Sequence, residues 1–205
     1  KVNQVDNMMP RTTQRLLIPV LMLSTIAVCL ADDTPVFAEA RRQRRMFTDE
    51  YMEVILADPK SPKADAKSDA QAPVYDQALA ELRAGRKESH WMWFIFPQLR
   101  GLGRSATAER FALAGGGEAL AYLAHPVLGS RLQACCLALL SLDKKDPAHV
   151  LGSVDALKLR SCMTLFAAIG DDDLFHRVLR KYFDGEADSL TVSILEREAD
   201  IDDRL

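Results

Sequence analysis

The sequence has few of the residues that build metal sites, disulfide frameworks or nucleic-acid surfaces. Four cysteines and four histidines are scattered over 205 residues, without a C-x-x-C pair or a spaced Cys/His cluster. A structural zinc site or a set of disulfides is therefore not expected. The net charge of −3 is also unlike the basic balance of a nucleic-acid-binding domain. We expect no metal, no cofactor and no nucleic-acid partner.

The period-two alternation that is typical of β-strands is missing as well. After Gln71, apolar residues instead recur every three or four positions, with proline near helix starts and glycine after helix ends. This pattern predicts an all-α fold, in which one compact, bundle-like domain of about seven helices covers residues 71–196 and a polar tail covers 197–205. Residues 127–142 have apolar positions around much of the helix, so we expect that helix to be central.

Several side chains are placed to cap helices or to fill the core. Ser105 and Asp188 precede predicted helices, and His125 stands before the proline that opens the helix at 127–142. Free cysteine is among the most buried residue types. The cysteines of the domain are therefore interpreted as small buried apolar residues rather than reactive thiols: Cys135, Cys136 and Cys162.

Residues 1–70 differ in composition from the domain, and we predict that this extension is mostly unstructured. Residues 16–31 are apolar and uncharged, with signal-peptide proportions but too few residues for a stable membrane span. Residues 41–45 contain four arginines and can be an address, an anionic contact or a solvated linker. Residues 58–72 are rich in Pro, Lys, Asp, Ala and Ser, which predicts an unfolded linker. The domain favours a cytoplasmic location, whereas the apolar run leaves export open.

The most distinctive segment is residues 87–105, which holds both tryptophans of the chain beside His90, several cations and two glycines. Gly101 and Gly103 allow the backbone to approach a ligand closely. The helix start at Ser105 offers free N–H groups to an anion, and Arg104 adds a planar cation suited to phosphate. An indole face can stack on a ring.

These features predict a site for a small phosphorylated ligand, such as a nucleotide or an ADP-ribose-like molecule. The predicted ligand-binding residues all come from this one segment: Trp91, Trp93, Gln98, Gly101, Gly103, Arg104 and Ser105. The alternative is that the tryptophans belong to the core and that an ordinary turn and helix cap follow them. Either interpretation is compatible with the pattern alone.

A second candidate lies in the helix predicted after Gly152. Asp155, Lys158 and Ser161 are three residues apart, so on a helix they share one face. A buried lysine beside a serine can support nucleophilic catalysis, and histidine is a common acid or base in enzymes, which makes His90 a candidate. His90, Lys158 and Ser161 are thus weak catalytic candidates, and the catalytic residues stay unknown. The alternative is a solvated Asp–Lys pair with the serine packed nearby.

Four stretches of this sequence resemble domain-of-unknown-function family 1810, whose members are sometimes labelled calpastatin. They are QAPVY at 71–75, HWMWFIFPQ at 90–98, YLAHPVLG at 122–129 and MTLF at 163–166. The resemblance covers about residues 71–195. It implies a small helical cytosolic protein from bacteria, and it implies no established reaction, cofactor or catalytic residue.

Two functions of different kinds follow from these observations. The first is a module, with or without catalysis, that binds a small phosphorylated ligand in a pocket formed by the segment 90–105 and the Lys158 helix. The second is a structural or protein–protein interaction domain without catalysis, in which the aromatic segment is simply core. The first requires the two segments to be neighbours in the fold. The sequence gives no indication of the oligomeric state.

Overall fold

The computed structural model describes residues 62–170 and 172–202. This part of the chain has ten helices and no β-strand, which confirms the all-α prediction. In chain order the helices are α1 (Pro62–Gln71), α2 (Tyr75–Ala84), α3 (Met92–Ile95), α4 (Ala106–Phe111), α5 (Gly116–Ala124), α6 (Leu128–Ser141), α7 (Pro147–Leu151), α8 (Ser153–Ile169), α9 (Asp173–Phe183) and α10 (Ser189–Asp202).

The seven predicted helices are all present, and the three additional ones are α1, α3 and α7. The apolar segment at Trp91 forms the single turn α3. The last helix, α10, continues to Asp202, so the first residues of the predicted polar tail are helical. The apolar run at 16–31 and the basic run at 41–45 lie outside the described residues.

The unfolded linker predicted over residues 58–72 is wrong for residues 62–71, which form α1. The polar composition that suggests disorder is compensated by tertiary contacts. Lys67 Nζ donates to the carbonyl oxygens of Phe111 and Ala112, both at 3.1 Å, at the end of α4. These are free carbonyls of a helix C-terminus, where a cation is favoured.

Gln71, the last residue of α1, is buried and completes this attachment. Its Nε2 donates to the Phe94 carbonyl at 2.5 Å and to the Tyr122 hydroxyl at 2.7 Å. Arg131 reaches back to the Ser68 carbonyl at 3.3 Å. Helix α1 is therefore bound to α3, α5 and α6 by polar groups more than by apolar side chains.

Helices α6 and α8 contribute more buried residues to the core than any other helices. Every residue of 161–169 in α8 is buried, and α8 packs against α5, α7, α9 and α10. Helix α6 packs against α1, α2, α3, α5 and α9, as expected for the helix predicted to be central. The Sγ atom of Cys136 lies 3.7 Å from the Sδ atom of Met163 and joins the two helices. Burial raises the pKa of the Cys135 thiol to about 12, so the thiol stays protonated and acts as an apolar side chain.

The caps predicted at Ser105, Asp188 and His125 are formed, whereas Ser153 is the first residue of α8 and does not cap it. Ser105 Oγ accepts a hydrogen bond from the Ala108 amide at 3.1 Å, and Asp188 Oδ2 accepts from the Thr191 amide at 2.9 Å. His125 is buried, and its Nδ1 accepts from the amides of Val127 and Leu128, both at 3.2 Å. This fixes the tautomer of His125, because Nδ1 must be unprotonated to accept.

The connection from α2 to α3 is organised by one buried carboxylate, that of Glu81. Glu81 Oε2 accepts from the amides of Glu88 and Ser89 at 2.8 and 3.1 Å and from Trp91 Nε1 at 2.7 Å. Glu81 Oε1 accepts from the Ser89 hydroxyl at 2.6 Å. Burial alone raises the pKa of this carboxyl, but the hydrogen bonds from Ser89, Glu88 and Trp91 outweigh it and lower the pKa to about 2.

The segment that follows α3 forms a loop that contains α4, and backbone hydrogen bonds join the two ends of this loop. A parallel bridge pairs Leu99 with Leu113, and the Leu113 amide donates to the Gln98 carbonyl at 2.9 Å. The Arg100 amide donates to the Leu113 carbonyl at 2.8 Å. These bonds hold residues 99–113 as a closed loop beside α3.

We expect His125→Ala to lower the free energy of unfolding by about 1–2 kcal/mol, because two amides at the start of α6 lose their acceptor. His125→Asn should recover most of the loss, since the asparagine Oδ1 can accept from the same two amides. Urea unfolding followed by circular dichroism measures both. Equal losses in the two variants would show that the cap is not what His125 contributes.

We expect Glu81→Gln to lower the stability at pH 7 by about 1–3 kcal/mol, because buried donors lose a charged acceptor. The pKa of Glu81 in the folded protein is about 2, below the ordinary 4.5. Its stabilisation is therefore complete above pH 4.5 and is lost as the pH falls from 4.5 towards 2. Urea unfolding at several pH values should show that the difference between the two proteins shrinks over this range. If the stability difference between the two proteins did not change with pH, Glu81 would not be the ionised acceptor that its lowered pKa indicates.

Candidate functional site

Two lysines from different parts of the chain share one carboxylate. Lys87 lies in the connection between α2 and α3, and its Nζ is 2.8 Å from Asp155 Oδ2. Lys158 lies one turn after Asp155 in α8, and its Nζ is 2.6 Å from Asp155 Oδ1. The three side chains are largely buried, with 10%, 20% and 15% of their surfaces exposed for Lys87, Lys158 and Asp155. An ion pair at this depth is less screened by solvent than one on the surface.

Each of these lysines also lies over an indole ring. Lys158 Nζ is 4.1 Å from the Trp93 ring centroid, and Lys87 Nζ is 5.3 Å from the Trp91 ring centroid. Both distances are within the range of cation–π attraction. The lysine–tryptophan cluster, as we name Lys87, Trp93, Asp155 and Lys158, therefore combines two cations, one carboxylate and a half-buried indole.

The carboxyl of Asp155 is ionised near neutral pH. Burial raises its pKa, but the hydrogen bonds from Lys158 and Lys87 and their positive charges lower it by more. The cluster thus carries two positive charges and one negative charge. The backbone of Lys87 is fixed as well, because its amide donates to the Val150 carbonyl of α7 at 2.7 Å.

The two tryptophans have different environments. Trp91 is 1% exposed and its Nε1 is bound to Glu81, so Trp91 is a core residue. Trp93 is only partly buried and packs against Gly103. A Cβ atom at Gly103 would lie 3.0 Å from Trp93 Cη2 and 2.5 Å from Ala108 Cβ, so glycine is required for this approach. The space at Gly103 is therefore filled by the protein itself.

Four other candidate residues of the segment 87–105 lie in different environments. Gly101 has a φ of +92°, which favours glycine in this turn, and Arg104 is exposed. The Ser105 hydroxyl is engaged as the cap of the six-residue helix α4. His90 is exposed between two residues that Glu81 holds, Ser89 and Trp91.

Gln98 is 5% exposed, and its Nε2 has no hydrogen-bond partner within the part of the chain that the structure describes. Its backbone carbonyl, in contrast, accepts from Leu113. A buried amide donor without an acceptor costs free energy, and such groups are uncommon in native proteins. Gln98 follows Trp93 by five residues in the same segment.

The third residue of the second candidate group, Ser161, is oriented differently from Lys158. It is buried, and its hydroxyl donates to the Leu157 carbonyl at 3.2 Å. Lys158 Nζ is bound to Asp155 instead. The spacing of Asp155 and Lys158 predicts their pair correctly, whereas it does not indicate that Lys87 joins them from another part of the chain.

The described residues offer neither a metal-binding cluster nor a single helix suited to crossing a membrane. No group of three or more His, Cys, Asp or Glu side chains there is arranged to hold a metal ion. No single helix there is long and apolar enough to cross a membrane. Helices α5 and α6 meet the length and composition requirements only together, as a pair bent by 86°.

Comparisons with known proteins agree with this helical domain. The family model described as "Protein of unknown function (DUF1810)" matches residues 65–195. A similar crystal structure is that of the conserved hypothetical protein Rv1873 from Mycobacterium tuberculosis, with 45% sequence identity and a TM-score of 0.65. That match covers 66% of this chain and 99% of the mycobacterial one. No curated protein matches. Because the family model spans more than half of the sequence, the chain belongs to the DUF1810 family of proteins of unknown function.

Proposed function

We propose that the domain binds a small phosphorylated ligand, such as a nucleotide or an ADP-ribose-like molecule, at the lysine–tryptophan cluster. The observation that carries the proposal is the position of Lys158 Nζ, 4.1 Å from the Trp93 ring centroid and 2.6 Å from Asp155. This ammonium is held in place before any ligand arrives. Little side-chain entropy is then lost on binding, which favours affinity.

The charges and donors of the cluster suit an anion. Each lysine ammonium has three N–H donors, and Asp155 accepts one hydrogen bond from each, so donors are left over for phosphate oxygens. The two cations exceed the single carboxylate by one charge. Arg104 is exposed and directly follows Gly103, which contacts Trp93, so a planar guanidinium is available nearby.

The aromatic part of the ligand has a partner in Trp93. Its indole is partly exposed, unlike that of Trp91, so the part that Lys158 and Gly103 leave uncovered can stack on a base or a similar ring. Gln98, a predicted ligand-binding residue, is not assigned a contact with the ligand, because its Nε2 is buried. Trp91 has a supporting role, since it positions Lys87.

The proposal is one of binding and assigns no reaction. Ser161 and Lys158 donate to different acceptors, so a serine activated by this lysine is not part of it. His90 is exposed beside the cluster's Lys87 loop and is the acid/base candidate if the ligand is also turned over.

The full chain should be stabilised by one or more phosphorylated compounds in a thermal-shift screen with nucleotides, NAD, ADP-ribose and phosphorylated metabolites. A ligand at 100 times its Kd stabilises the folded state by about 2.7 kcal/mol. Lys158→Met removes a charged donor and should weaken binding roughly tenfold to a hundredfold. Arg104→Ala and His90→Ala should weaken it less.

Lys145→Met is the matched control, because it removes the same charge from an exposed position in the loop before α7. Each shift in melting temperature is measured against the unliganded protein of the same variant. A change in the variant's own stability therefore does not affect the comparison. If no compound in the panel stabilises the protein, the proposal is wrong, and the alternative of a protein–protein interaction domain is favoured. Equal weakening in Lys158→Met and Lys145→Met would place the anion elsewhere.

A further inference from the structure

Two exposed aliphatic side chains border the lysine–tryptophan cluster. Val154 and Leu157, in the first turns of α8, each have 65% of their surface exposed. They are three residues apart and so are neighbours on one face of the helix. Lys158 is the residue after Leu157 and lies one turn beyond Val154, so the same face carries the cluster's cation.

Their exposure contrasts with the rest of α8, where every residue from 161 to 169 is buried. A single exposed leucine is ordinary. Here two branched aliphatic side chains lie side by side, and Lys158, whose Nζ lies over the Trp93 ring, is one turn from Val154 on the same helix. The exposed aliphatic pair is therefore bordered by the cation of Lys158, which shares Asp155 with Lys87.

From this juxtaposition we infer that the ligand is amphiphilic, with an anionic phosphate that contacts Lys87 and Lys158 and an alkyl or aryl group that packs on Val154, Leu157 and Trp93. The inference rests on the proposed function and narrows its ligand class. A cationic border fits an anionic head, and the adjoining aliphatic surface gains free energy only if an apolar group covers it. A ligand that consists of phosphate and sugar alone would leave this surface in water.

The experiment compares methyl phosphate with octyl phosphate, which carry the same head group and differ only in the alkyl chain. Isothermal titration of the full chain is carried out below the critical micelle concentration. We expect octyl phosphate to bind at least about tenfold more tightly, because each buried methylene contributes about 0.8 kcal/mol and several can be covered. Its binding should also show a more negative heat-capacity change, the mark of apolar burial. AMP is titrated alongside as the nucleotide reference.

The matched variants are Leu157→Gln and Leu137→Gln. Leu137 is likewise an exposed leucine, 52% exposed, but it lies on α6. We expect Leu157→Gln to reduce the affinity for octyl phosphate roughly threefold to tenfold while the affinity for methyl phosphate is unchanged. Leu137→Gln should change neither.

Equal affinity for methyl and octyl phosphate, with loss of both in Lys158→Met, would overturn the inference and leave the proposed function standing. The same holds if AMP binds and the alkyl chain adds nothing. Tighter binding of octyl phosphate that is insensitive to Leu157→Gln would also overturn it, because the chain would then bind elsewhere. If none of the three compounds binds, the inference and the proposed function both fail.

Discussion

The buried carboxylate of Glu81 is the interaction on which the candidate site depends. It accepts hydrogen bonds from two successive amides, a hydroxyl and an indole within residues 88–91. Backbone amides that are partly buried need hydrogen-bond acceptors. By pairing them, Glu81 fixes the path from α2 to α3, and the positions of Lys87 and Trp91 follow from it.

Because this path is fixed, the two halves of the lysine–tryptophan cluster lie next to each other. Lys87 and Trp93 are brought by the segment that Glu81 organises, whereas Asp155 and Lys158 come from the start of α8. The far end of α8 is wholly buried, so the helix cannot shift to suit its polar start. The rigidity of the core is thereby transmitted to two largely buried ammonium groups, whose side chains would otherwise sample many conformations.

The sequence alone predicts those features that depend on the spacing of nearby residues. Helix caps at Ser105, His125 and Asp188, and the Asp155–Lys158 pair, all follow from residues two to four positions apart. Contacts between residues that are far apart in the sequence could not be predicted from it. Lys87 meets Asp155 across 68 positions (155 minus 87), a pairing that no periodicity encodes. The same holds for the close packing of Gly103 on Trp93, where the glycine pattern suggested room for a ligand.

Helix α1 could not be predicted from its own residues for the same reason. This has a practical consequence for where the domain begins. Its own composition predicts disorder, and it is helical because Lys67 and Gln71 find acceptors on α3, α4 and α5. Those acceptors also depend on α1, since the Phe94 carbonyl and the Tyr122 hydroxyl would lose their partner without it. A shortened chain that starts at Gln71, where the composition changes, would thus omit part of the folding unit. Residues 67–71 therefore belong with the helices that they contact, and recombinant boundaries should be drawn upstream of Pro62 so that α1 is kept whole.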